Sequence, residues 1–110
     1  MAFDEKLADR VRPMLIRQKF VEEKQMFGGL AFMVNGKMAV GVIKDELMAR
    51  IGSEAYEAAL HRPGARPMDF TGRPMKGYVF VNSKGIAGKK DLAYWINLAL
   101  DFNKKATAGH

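Results

Sequence analysis

Apolar residues recur at steps of three and four at the start of the chain. Phe3, Leu7, Val11, Met14, Leu15 and Gln18 form one stripe, and only Gln18 in it is polar. That spacing predicts an amphipathic helix over residues 3–19. Asp4 and Glu5 open it and Arg12, Arg17 and Lys19 close it, as the helix dipole favours. Pro13 removes one backbone hydrogen bond inside that stretch, so a kink or two short helical pieces are expected.

The pattern then changes to short apolar runs. Residues 26–34 read as a strand with Gly28-Gly29 at its start, a pair that marks a bulge or a close backbone approach. Asn35-Gly36 is a hairpin signal, because both central positions of a type I′ turn need positive φ. Residues 37–43 form the next strand. Lys44-Asp45-Glu46 turn the chain, and residues 47–51 complete a three-stranded meander. A short helix follows, with Ser53 as its expected N-cap and Tyr56, Ala59 and Leu60 as its inner face. Pro63 ends it. A short extended piece is expected near Met68 to Phe70. Residues 77–81 form another strand, with Tyr78 and Phe80 on one face and Val79 and Val81 on the other. The last helix covers about residues 89–103 and has only a narrow polar stripe, Lys90, Asn97, Asp101 and Lys104. Residues 104–110 read as a frayed tail. The order α-β-β-β-α-β-β-α is an α+β class, with helices packed on a mostly antiparallel sheet in two layers.

Composition narrows this picture. A chain of 110 residues is one domain. It has no Cys, which excludes disulfides, thiolate chemistry and Cys-ligated metals, and fits a reducing compartment. No apolar run approaches the ~18 residues of a spanning helix, and no signal peptide is visible. A cytoplasmic location is expected. The formal net charge is +6. Residues 1–60 carry nine basic and nine acidic side chains, while residues 61–110 carry nine basic and three acidic ones, so the second half holds the whole excess.

The residues for chemistry are few. His61 stands at a helix end and His110 at the C-terminus, and neither belongs to a triad or a metal-ligand spacing. The acidic pairs Asp4/Glu5, Glu22/Glu23 and Asp45/Glu46 lie at helix or turn edges beside bases, where solvated turn chemistry explains them. Gly28-Gly29 precedes a strand rather than a helix, so it is no phosphate loop, and the segment Gly85 to Lys90 reads as a flexible loop. No catalytic residue, cofactor or metal is expected. A pocket near Gly28-Gly29, Phe70 and Tyr78 is the one place where a small-molecule or enzymatic role would sit. Between residues 61 and 76 stand Pro63, Pro67 and Pro74 together with Arg62, Arg66, Arg73 and Lys76. Prolines reduce the entropy cost of holding such bases in place. With Lys89 and Lys90 they form the candidate surface for a protein partner or for nucleic acid. Tyr94, Trp95, Leu98 and Phe102 exceed what one helix face should bury, which predicts self-association as a homodimer.

Two blocks carry a resemblance. Met26-Phe27-Gly28-Gly29 is the first. The second runs from Arg62 to Tyr78 and includes Pro67, Met68, Phe70, Gly72, Pro74 and Gly77. Together they resemble the TfoX/Sxy N-terminal domain family over about residues 4–102. The resemblance implies a two-layer α+β fold and a link to regulation of bacterial natural competence, in which the named members act as positive regulators of DNA-uptake genes. Those regulators carry a second, helical domain, so a stand-alone single-domain member is expected here. The resemblance brings no catalytic residues. The resulting expectation is a non-enzymatic regulatory or protein-interaction module acting in transcriptional regulation through a protein partner. The alternative is direct nucleic-acid binding through the basic proline loop.

Overall fold

The computed structural model describes residues 3–16, 18, 20–26, 28–69 and 74–105. Helix α1 covers Glu5–Val11, and Asp4 caps it by accepting from the backbone N–H of Lys6 at 2.9 Å. Pro13 is accommodated by a change of helix type. It falls in the first turn of a short 3-10 helix, Arg12–Leu15, where its missing N–H leaves no bond unmade. The expected pair of short helical pieces is therefore present, and Leu7, Val11 and Leu15 are buried.

Six strands follow this start: β1 Val21–Met26, β2 Gly29–Val34, β3 Lys37–Ile43, β4 Glu46–Arg50, β5 Ala65–Asp69 and β6 Pro74–Val81. They form one antiparallel sheet in the order β1-β2-β3-β4-β6-β5. Helix α2, Ser53–Leu60, connects β4 to β5. A 3-10 turn, Ser83–Gly85, leads to helix α3, Lys89–Lys105. The class matches the α+β expectation, but the meander has four strands rather than three. Strand β1 is the addition. Its sequence, Val-Glu-Glu-Lys-Gln-Met, carries charge on both faces and has no apolar alternation to reveal it.

Local chemistry explains the connections. Asn35 and Gly36 have φ of 53° and 77° between the paired residues Val34 and Lys37, as a two-residue type I′ hairpin requires. Gly29 is the close approach expected of the Gly pair, because a Cβ there would run into the Val42 carbonyl. Ser53 does not cap α2, a correction to the expectation. The cap position is Gly52, and no side chain bonds to the first turn. The packing dictates this choice, since a Cβ at Gly52 would strike the ring of Phe102. The proline loop is also corrected: its residues 65–69 form β5 and 74–76 open β6, which pair antiparallel. Pro67 is tolerated there because β5 is an edge strand. The segment from Gly85 to Lys90 is not a free loop either. Gly85 and Ile86 are buried, and Arg10 donates to the Ile86 carbonyl at 2.7 Å.

The two faces of the sheet differ. On one, Leu30, Phe32, Val34, Val40, Val42, Leu47, Ala49, Val79 and Val81 pack against all three helices. A bulge in β3 turns both Ala39 and Val40 into this core. On the other face lies a separate cluster of Met48, Met68 and Phe80, with Met38, Ile43 and Tyr78 around it. No helix among the described residues is long and apolar enough to cross a membrane.

Candidate functional site

The six predicted basic residues do not form one patch. Arg62 lies just past the end of α2 on the helix side, with its guanidinium 3.7 Å from the centre of the Tyr94 ring. Lys90 stands one helical turn before Tyr94, and Lys89 opens α3. Arg66 instead projects from the face of the sheet away from the helices. Arg66 sits 4.6 Å over the Phe80 ring and forms a two-point ion pair with Glu46, at 2.6 Å and 3.2 Å. Lys76 is exposed two residues before Tyr78. Arg73 lies outside the described residues, as do Phe27, Phe70 and Gly72. Strand alternation explains the split, since Arg66 and Met68 share one face of β5 while Ala65 packs toward the other.

The pocket expected near Gly28-Gly29 and Tyr78 is absent among the described residues, a second correction. Gly29 begins β2 and Tyr78 pairs with Arg50 at the far end of β4, with β3 and β4 lying between them. His61 is the exposed residue that ends α2. No group of three or more His, Asp or Glu side chains able to hold a metal occurs among the described residues.

The helix α3 residues predicted to self-associate have partners within the chain. Trp95 is 1% exposed and its Nε1–H donates to the Gly85 carbonyl at 3.2 Å. Tyr94 meets Trp95 edge to face and carries Arg62 on its ring. Leu98 packs on the core and Phe102 covers Gly52. Trp95 is thus deeply packed, while Tyr94, Leu98 and Phe102 are half-buried.

The first sequence block spans the end of β1 and the start of β2, and the second spans residues of β5 and β6. Met26 and Gly29 are paired across the β1–β2 turn. Met68 is buried on β5 and Pro74 opens β6. Gly77, at φ 96°, brings its carbonyl to the N–H groups of Ile51 and Gly52 at 2.8 Å and 3.1 Å, a conformation that L side chains rarely adopt. The TfoX N-terminal domain family model matches residues 14–103. The chain belongs to the TfoX N-terminal domain family. A search of curated proteins finds no match, and a search of solved structures finds none.

In this TfoX N-terminal domain the sequence reading passed over one residue. Arg50 is 7% exposed, and its guanidinium lies 5.7 Å from the Tyr78 ring centre and 5.2 Å from that of Phe102. Among the described residues no carboxylate pairs with it and no side-chain hydrogen bond is made by it. The signal was available. In Leu47-Met48-Ala49-Arg50-Ile51 the alternation assigns Arg50 to the same face as Met48, a charge at the end of β4 between the apolar residues Ala49 and Ile51.

Three concavities complete the surface. A groove of about 470 Å³ runs between the 3-10 helix and β1, lined by Leu15, Ile16, Val21 and Phe32 among others. Ile16 and Phe20 beside it are 81% and 76% exposed, and Phe20 has a φ of 56°, uncommon for a bulky residue. Arg12 closes the groove on one side by pairing with Glu23 at 2.8 Å. The hydrogen bonds from Arg12 hold the Glu23 carboxyl below the usual carboxylate range. A second hollow of about 330 Å³ lies at the start of α2 beside Phe102, and a third of about 350 Å³ lies between α1 and Ile86.

Proposed function

We propose that this domain is a non-enzymatic docking module that acts in regulation through a protein partner. Family membership supports a competence-regulator-like module. The structural observation that carries the docking reading is the asymmetry of the sheet. All three helices pack on one face, and the other presents Met38, Ile43 and Tyr78, each half-buried, around Met48, Met68 and Phe80. Methionine and aromatic side chains adapt to a partner's shape and carry much of the energy of interfaces.

The test is affinity capture from the native cell with and without DNase. A protein partner retained after DNase supports the reading, and a Tyr78→Ser, Met38→Ser chain should lose it. Partners that all vanish with DNase would instead favour the nucleic-acid alternative. In that case binding should weaken steeply with salt, because each phosphate contact releases counterions. The distribution of bases lends that alternative less support, since Arg66 is already paired with Glu46 and Arg62 lies on the opposite side.

A further inference from the structure

We propose that Arg50 anchors a docking site at the end of β4, where Tyr78 of the open sheet face and Phe102 of α3 flank its guanidinium, and that its ligand is a carboxylate carried by an acidic, apolar-flanked segment of a protein partner. The assignment rests on the protein-docking reading and names the chemistry of its site. A guanidinium stays charged in any protein, so burial cannot be relieved by losing the proton. Buried charges are ordinarily paired, because desolvation is costly without a partner. Arg50 is 7% exposed and has only the Tyr78 and Phe102 rings against it among the described residues. Rings stabilise a cation but accept none of its in-plane N–H groups.

Those N–H groups are not sealed in. No buried side-chain nitrogen among the described residues is left without a hydrogen-bond partner, so the unpaired donors of Arg50 reach the surface. The two rings flank the guanidinium, and its unpaired N–H groups remain for an incoming anion. A planar fork of this kind matches a carboxylate at two points. The surroundings select the source of that carboxylate. Tyr78 lies across from Arg50 in the sheet, and Met38 and Met48 belong to the same apolar cluster. Apolar side chains flanking an acid would use that surface, whereas a free phosphate would not. Glu46, the acid on that face of β4, is committed to Arg66.

The whole 110-residue chain can be tested against a displayed library of random peptides of about 12 residues. Peptides selected on it should carry Asp or Glu beside Leu, Met or Phe, and Arg50→Met should weaken them by at least about tenfold. The melting temperature of Arg50→Met should equal or exceed that of the parent, because no hydrogen bond or ion pair is lost and the methionine thioether can keep the contact with the Tyr78 and Phe102 rings. A second readout needs no variant. The Arg50 Nε–Hε resonance of the parent chain should shift with a selected peptide and not with its Glu→Gln counterpart. Enriched peptides that lack acids, or that bind Arg50→Met within about twofold of the parent, would overturn the Arg50 assignment alone. A marked fall in the melting temperature would do the same by showing a structural role, as would displacement of the peptide by equimolar inorganic phosphate. If no peptide is enriched over a blank support, the docking reading falls with it.

Discussion

The two faces of the sheet solve the burial problem differently. The helix-covered face is closed by complementary shape: branched aliphatic residues on four strands meet Trp95, Leu92 and Ile96 of α3 with almost no exposure. The open face is closed by flexible and amphipathic side chains: methionines, Tyr78, and arginines whose stems lie over rings. The first arrangement specifies one packing and resists change. The second tolerates change and keeps charge within reach of solvent. In this fold, stability and recognition are assigned to opposite sides of the same strands.

The comparison can be broken most sharply at Trp95. Trp95→Ala removes the largest buried side chain of the covered face and its bond to Gly85, and should cost about 3–5 kcal/mol in urea unfolding. A cost near that of a surface change would mean that α3 does not hold the core. On the open face, Met48→Leu should cost less than about 1.5 kcal/mol, because a volume-conserving swap there meets adaptable neighbours. A loss as large as that at Trp95 would erase the distinction between the faces.

The Arg12–Glu23 pair gives a smaller, pH-dependent effect at the edge of the covered face. The folded state lowers the Glu23 pKa, chiefly through hydrogen bonding to Arg12. The contribution is therefore complete above the unfolded value of about 4.3 and is lost as pH falls through the lower folded value. Both side chains are more than a third exposed, so screening limits it to under about 1 kcal/mol. Glu23→Gln should flatten that part of the stability-versus-pH curve measured between neutral and acid pH. The smallest effect is expected at Ile16 and Phe20. Replacing Ile16 by Ser should change stability by no more than about 0.5 kcal/mol, as its side chain is 81% exposed. A larger loss would place it in the fold rather than on the surface.

What the sequence reveals follows the same division. Strands β2 to β4 and helix α3 are legible because each places a continuous apolar stripe on the core, and Asn35-Gly36 fixes the hairpin between β2 and β3. Strand β1 is not legible: as an edge strand it needs little apolar content, and Val21 alone of its described side chains packs on the core. The start of α2 is misread because a serine beside a glycine looks like a cap until the packing of Phe102 on Gly52 is known. The basic residues are visible one by one, but their division needs the alternation of β5 and the contact between Arg62 and Tyr94. Arg50 was hidden for the opposite reason. Its strand was recognised from its apolar neighbours, and the exception within it drew no notice.

Asn103 ties the end of the chain to its early part. It is 3% exposed, and its amide donates to the Val34 carbonyl at 3.2 Å while its own carbonyl accepts from Lys37 Nζ at 2.7 Å. These bonds span 69 and 66 residues. Such distant contacts form late, because a large loop must close first. The last turns of α3 therefore seal their part of the helix-facing side after the local hairpins have paired. The β2–β3 hairpin and the end of α3 become a single cooperative unit at that moment. The amides around the β2–β3 turn should then exchange hydrogen at a rate set by release of the helix end, so that a probe at residue 37 reports on residue 103.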